Sequence, residues 1–339
     1  NGKILAQGNS FEEETIYTDI TLSSKPSKTE PSRVSSVKAP TSLAKFKQFV
    51  QLPACVYREK SEEEEIYSAL VLGTRDYIRK NGFSKVVLGL SGGIDSSLTA
   101  AVAVDALGPQ NVVGVLMPSP HSSKGSIDDS LALAKNLNIK TFTFPIVSAM
   151  KAYEYILKET FKETGSGLAE ENLQARIRGN LLMALSNKFG GMVLTTGNKS
   201  EISMGYCTLY GDMAGGFAVI KDVPKVFVYE LCHWLNRDKE IIPKNVLTKE
   251  PSAELRPDQL DTDSLPPYDL LDPVLMRYIE EDASVGEIKV KGLSKAEIQR
   301  IARLVDLNEY KRRQGPPGVK ITPKAFGKDR RLPITRGTK

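Results

Sequence analysis

The chain has 339 residues, with 46 Lys plus Arg against 41 Asp plus Glu and a hydrophobic fraction of 40%. That is enough apolar material for a sizeable core, so a disordered or fibrous chain is excluded, and no apolar run approaches the roughly 20 residues that a membrane span needs. Three scattered cysteines, Cys55, Cys207 and Cys232, and two distant histidines, His121 and His233, suggest neither a disulfide framework nor a zinc site and fit a reducing cytoplasm.

In chain order, residues 1–20 alternate apolar and polar around a glycine and read as strand remnants. Residues 21–52 are dominated by Ser, Thr, Pro and Lys, the composition of a solvated linker. A domain is expected over 53–310. It opens with a helix that Ser61 and Glu64 can cap, with Ile66, Leu70, Gly73 and Tyr77 along one face and Asn81-Gly82 as its stop. An apolar strand over 85–90 then meets Ser91-Gly92-Gly93 and an Ala-rich helix over 96–107. The unit repeats: strand 112–117, helix 126–138, strand 141–144, helix 148–161, a long helix 168–189, strand 192–196 and helix 223–234. Alternation at this spacing predicts an α/β fold with a doubly wound parallel sheet covered by helices on both faces. Beyond residue 236 the sequence reads as loop through 267, with one more amphipathic helix over 294–310. The tail, 311–339, carries ten Lys or Arg against one acid, a local +9 that leaves −4 for the preceding chain. Such a tail can lie solvated, meet the phosphates of a small ligand, or bind nucleic acid; it has only Phe326 for stacking and four prolines.

The chemistry concentrates at Ser91-Gly92-Gly93-Ile94-Asp95-Ser96. In an open parallel sheet, ligands bind beyond the carboxyl ends of the strands, where a glycine turn brings backbone N–H groups and a helix N-terminus to an anion. Asp95 adds a carboxylate able to hold Mg²⁺ against the same phosphates. The segment has neither the Lys-Ser/Thr of a Walker loop nor the Gly-x-Gly-x-x-Gly of a dinucleotide fold, which disfavours a P-loop kinase or a dehydrogenase.

Ser-Gly-Gly-Ile-Asp-Ser resembles the pyrophosphate loop of the ATP pyrophosphatases, Rossmann-like enzymes that cleave ATP between its α and β phosphates. Within that superfamily, residues 194–216, Asn172-Leu-Gln-Ala-Arg176, Lys249-Glu-Pro-Ser-Ala-Glu-Leu255, Tyr310-Lys-Arg312 and the closing Phe326-Gly-Lys-Asp-Arg-Arg-Leu-Pro-Ile-Thr335 resemble NAD synthetase, the last of these its glutamine-dependent form. The resemblance implies that Gly89, Leu90, Ser91, Gly92, Gly93, Ile94, Asp95, Ser96, Thr196 and Lys225 meet ATP, that Asp95 and Glu201 bind Mg²⁺, and that Asn172, Arg176, Glu201 and Lys311 contact deamido-NAD⁺. It also implies that Lys225 and Asp212 are catalytic, Asp212 receiving ammonium or its proton. The reaction implied is ATP-dependent amidation of deamido-NAD⁺ through an adenylate, with ammonia drawn from glutamine by a nitrilase-like glutaminase domain, of which residues 1–20 resemble the end and whose catalytic residues are not in this sequence. A cytoplasmic homodimer or larger homo-oligomer is expected, with neither nucleic acid nor membrane as partner. The alternatives are another ATP pyrophosphatase amidoligase of the GMP synthetase type and a nucleic-acid-binding protein that uses the basic tail. Residues 205–216, rich in small residues, are expected to form a mobile lid.

Overall fold

In the computed structural model, which describes residues 4–18, 57–165 and 167–334, the apolar run Val86–Gly89 is the middle strand of a parallel sheet. The elements follow in the order α1 (Glu62–Lys80), β1 (Val86–Gly89), α2 (Ile94–Leu107), β2 (Val112–Leu116), α3 (Lys124–Asn136), β3 (Lys140–Thr143), α4 (Val147–Leu157), α5 (Leu168–Phe189) and β4 (Met192–Thr195). Then come α6 (Lys199–Met204), β5 (Phe217–Ala218), α7 (Lys225–Leu235), α8 (Lys244–Thr248), α9 (Tyr268–Leu275), α10 (Lys295–Leu307) and α11 (Glu309–Arg312). The strand order is β3-β2-β1-β4-β5 with every pairing parallel, which is the doubly wound arrangement expected. The order reverses between β1 and β4, so the turn after β1 and the end of β4 flank the switch point, where such sheets bind ligands.

Both sheet faces are covered. On one, Leu88, Val86 and Leu194 pack with α1, α2, α7 and Leu133 of α3; on the other, Val87, Val115 and Val193 pack with Ile146 and with Ile177 and Leu182 of α5. This two-sided burial explains why the strands read as continuous apolar runs. A further core joins Ile202 and Met204 of α6 to Leu271, Val274 and Leu275 of α9 and Ile298, Ile301 and Val305 of α10.

Several elements depart from the expectations. The loop expected through residue 267 contains α8, and α9 follows it into a π turn, Met276–Glu280; the breakers Pro267 and Pro273 hid that helix, although Pro267 sits at its N-cap and Pro273 is tolerated within it. The helix expected over 294–310 divides at Asn308, whose Nδ2 donates to the Met204 carbonyl at 2.9 Å. Residues 4–18 belong to a separate unit, 1–61, and form a turn at 10–12 with Asn9 donating to Glu14 (2.9 Å) and no strand among the described residues. All of the linker expected over 21–52, and Cys55, lie outside the described residues.

Candidate active site

The turn after β1 is built to leave N–H groups unspent. Leu90 still donates to the Val115 carbonyl at 2.9 Å, after which the chain leaves the sheet. Helix α2 begins at N-cap Gly93 with no side-chain cap, so N–H groups of its first turn remain for an anion at the cavity wall. The serines hold the loop itself: Ser91 Oγ accepts from Gly93 N–H (3.2 Å) and meets Ser96 Oγ (3.1 Å), while Ser96 and Ser97 both donate to the Gly93 carbonyl (3.0 and 2.9 Å). Gly92 has φ +76°, and a Cβ there would lie 2.2 Å from the Ser126 carbonyl oxygen, so only glycine lets the loop close on the start of α3.

Above this loop lies a cavity of about 440 Å³ lined by Gly89 to Ser96 apart from Gly92, and by Thr196, Asn172, Glu201, Asp212, Lys225 and Lys311. At its floor the Lys225 ammonium, 2% exposed, is hydrogen-bonded to Asp95 Oδ2 and lies 3.4 Å from Glu201 Oε1. Burial alone would pull the Lys225 pKa down, but Asp95 and Glu201 outweigh it and the ammonium is held charged. Burial pushes the Glu201 carboxyl up to about 8, with the Asp95 charge adding to the rise and Lys225 opposing it. Asp261, whose carboxyl burial also raises, accepts from Tyr268 OH at 2.8 Å and lines the same cavity. Three carboxyl groups thus surround one ammonium, an excess of negative charge that suits a divalent cation. Among the described residues no group of three acids, cysteines or histidines could hold a metal by itself. Mg²⁺ needs no such cage, since it binds through one or two carboxylates with substrate phosphates completing its shell.

Asn172, Asp212 and Lys311 line the same cavity. Asp212 is open to the cavity and its Oδ1 accepts from Thr208 N–H at 2.6 Å; the surrounding wall desolvates it and pushes its pKa up to about 6, against the pull of backbone N–H groups and Lys311. Thr208 Oγ1 donates to Asn172 Oδ1 (2.7 Å), and Lys311 Nζ donates to the carbonyls of Gly205 (2.7 Å) and Cys207 (2.9 Å). These bonds pin residues 205–212 from both sides, so the segment expected to be a free lid is tied down at its base.

Arg176 lies apart from the nucleotide loop: it is exposed, donates to the Leu209 carbonyl (3.2 Å) and lines a different cavity with Tyr153 and Tyr210. Arg178 takes the inner position, donating to the Met117 carbonyl at 3.1 Å while lining the main cavity. Helical spacing could have found it: Leu168, Glu171, Asn172, Ala175, Arg178, Gly179 and Leu182 share the cavity face of α5, and Arg176 falls beside that face. Glu254 was also missed as a working residue. It reaches back to accept from Ser123 Oγ (2.9 Å) and Ser126 Oγ (2.7 Å), fixing the start of α3 against the Gly92 turn, and Lys249 donates to the same Ser126 hydroxyl (3.1 Å).

The basic tail is not a free arm over its described part. Lys320 pairs with Asp329 (2.8 Å), Lys324 and Arg330 with Asp282, and Arg312 stacks over Phe326 (4.5 Å). Five of its ten cations are held by three neighbouring acids, Glu309, Asp282 and Asp329, which disfavours the nucleic-acid reading.

A glycine-serine turn at the switch point, with acids and a buried lysine above it, defines an adenine-nucleotide-binding α/β protein of the ATP pyrophosphatase class. Residues 66–315 match the family model for NAD synthase, and the chain belongs to that family. It is 51% identical over 351 residues to a glutamine-dependent NAD(+) synthetase of Thermotoga maritima, covering 99% of this chain and 60% of that protein, and 59% identical over 275 residues to one of Synechocystis, covering 81% and 49%. The chain therefore spans about half to three fifths of the length of these relatives. Among solved structures it resembles the glutamine-dependent NAD+ synthetase of Acinetobacter baumannii in complex with adenosine diphosphate (47% identity, TM-score 0.56, covering 84% of this chain and 51% of that one). It also resembles the NMN synthetase of Francisella tularensis (28% identity, TM-score 0.61, covering 72% and 94%).

Proposed function

We propose that the chain amidates deamido-NAD⁺ to NAD⁺ with ATP, releasing AMP and pyrophosphate, and that in a longer polypeptide its ammonia comes from glutamine. The observation that carries this reading is the Asp95–Lys225–Glu201 constellation set over the uncapped N-terminus of α2 in one cavity with Asn172, Asp212 and Lys311. A carboxylate is a poor electrophile. Its oxygen therefore attacks the α-phosphorus, the bond from that phosphorus to the bridging oxygen breaks, and pyrophosphate departs; the N–H groups of residues 91–96 and the Lys225 ammonium face the charge that develops. Ammonia then adds to the acyl carbon, and AMP leaves with its bonding pair. Asp95 and Glu201 would hold Mg²⁺, which when bound neutralises the phosphate oxygens. Asp212 takes the proton that ammonium must lose before its nitrogen can react.

Two supporting features concern assembly and place. Helix α4 buries none of its residues fully, and Tyr155 (81% exposed), Ile156 (71%) and, on α5, Leu168 (71%) leave an apolar surface that suits a homodimer. A cytoplasmic location fits the free Cys207 and Cys232; no helix among the described residues is long and apolar enough to cross a membrane.

The test is pyrophosphate release from ATP and Mg²⁺ with deamido-NAD⁺, comparing ammonium chloride with glutamine as the nitrogen source. Turnover with ammonium and none with glutamine is expected. Release that instead requires xanthosine monophosphate or nicotinate mononucleotide would overturn the dinucleotide assignment. The pH profile adds a prediction: with Asp212 titrating at about 6, turnover should fall about tenfold per unit below that pH and level off above it. Asp212→Asn should lose this limb along with most of the rate, and Asp212→Glu should retain the limb.

A further inference from the structure

We infer that Asn198 is the positioning residue that fixes the separation of the Asp95 and Glu201 carboxylates for a divalent cation, an inference that rests on the reading of this pair given above. Asn198 is fully buried and sits at the N-cap of α6. Its side-chain Oδ1 accepts from Glu201 N–H at 2.9 Å, its Nδ2 donates to Asp95 Oδ1 at 2.8 Å, and its own N–H donates to Glu201 Oε2 at 3.3 Å. Lys225 takes the other oxygen of each carboxylate, Asp95 Oδ2 and Glu201 Oε1. The two acids, on different helices, are therefore held at one oxygen each by an asparagine that cannot titrate and at the other by an ammonium that a cation could displace.

The residue type follows from these bonds. An N-cap alone would accept Ser, Thr, Asp or Asn. Ser and Thr cap the helix but cannot reach Asp95, and Asp would set a third negative charge against it. Only the amide both accepts from the helix and donates to the carboxylate at this reach. The backbone behind it is fixed as well, since Lys199 N–H donates to the Val223 carbonyl at 2.9 Å. A group that orients a metal ligand without touching the metal typically changes metal affinity or activity by roughly 10- to 100-fold when lost.

The experiment is a titration of the protein with Mn²⁺ in the presence of a non-hydrolysable ATP analogue, whose phosphates complete the shell, read by electron paramagnetic resonance of enzyme-bound against unbound ion, on wild type, Asn198→Ser, Asp95→Asn and the double variant. Asn198→Ser keeps the helix cap, so its melting temperature should stay close to wild type while its Mn²⁺ affinity falls at least tenfold; adding it to Asp95→Asn should cause no further loss. An affinity within threefold of wild type, or an equal additional loss in the Asp95→Asn background, overturns the inference. So does a wild type that binds no Mn²⁺ at millimolar concentration. Should Asn198→Ser fail to fold, Asn198→Thr makes the same comparison. The reading of the site is judged separately, by wild-type pyrophosphate release with deamido-NAD⁺, and its failure leaves the Mn²⁺ comparison to be scored by itself.

Discussion

Asp95→Asn is expected to reduce pyrophosphate release at least about a thousandfold, a loss of roughly 4 kcal/mol of transition-state stabilisation, while leaving the melting temperature measured without divalent cations at or above that of wild type. The two halves of this result have one cause. In the cation-free protein Asp95 competes with Glu201 for a single ammonium, and its charge is part of what lifts the Glu201 carboxyl to about 8. A carboxyl at about 8 when folded, against an ordinary 4.5, binds a proton on folding between those limits, so its contribution favours the fold below about 4.5 and is lost as pH rises through 8. Removing the Asp95 charge lowers the folded value and should flatten that decline. Scanning fluorimetry from pH 5 to 9, beside a coupled pyrophosphate assay, checks both. Residual turnover within tenfold of wild type, or a melting temperature more than about 5 °C lower, would sink the argument.

The same electrostatics bear on what could be read from the sequence. The strand, turn and helix around Ser91 were legible because each leaves a local mark: an apolar run, paired glycines, and an Ala-rich stretch ending near Gly108. Helix α5 was legible at about 168–189 because Gly167 and Gly190 bracket it and no proline interrupts it. Which arginine of that helix faces the nucleotide cavity is not carried by a motif match, which gives no angle about the axis; the helical spacing of the cavity-lining residues is what separates Arg178 from Arg176. What Asn198 and Lys199 bind was not legible because their partners, Asp95 and Glu280, lie 103 and 81 residues away. Helix α6 was missed for a related reason. Its six residues stand through tertiary contacts, Ser200 Oγ accepting from Lys225 N–H (2.9 Å) and donating to Asp272 Oδ1 (2.5 Å), rather than through propensity.

Lys199→Met should be the most destabilising of the substitutions considered, lowering the melting temperature by about 10 °C. The ammonium of Lys199, 3% exposed, meets Asp222 Oδ1 at 2.9 Å, Glu280 Oε1 at 2.7 Å, Thr322 Oγ1 at 2.6 Å and the Lys324 carbonyl at 3.0 Å. Methionine fills much of the same volume but leaves two buried carboxylates facing each other without a cation, and breaking such a cluster costs about 3–5 kcal/mol, or roughly 2–4 °C per kcal/mol in a domain of this size. The tail should loosen first. Asp222 Oδ2 holds it by accepting from Ile321 N–H (2.9 Å), Thr322 N–H (2.9 Å) and Thr322 Oγ1 (2.8 Å), and Val319 lodges against α1 where a Cβ on Gly73 would come within 2.7 Å of it. Limited trypsin digestion should accordingly cleave within residues 320–331 of the variant well before the rest of the domain, and Glu280→Gln in the same background should recover part of the lost stability by removing one of the stranded charges. A melting temperature within 3 °C of wild type would mean that water or a rearranged tail compensates both carboxylates. Because Lys199 opens the helix that carries Glu201, the expected loss extends to the site: at temperatures where the variant is still folded, its turnover should fall before its helical signal does, the tail acting as an outer brace of α6 and Glu201.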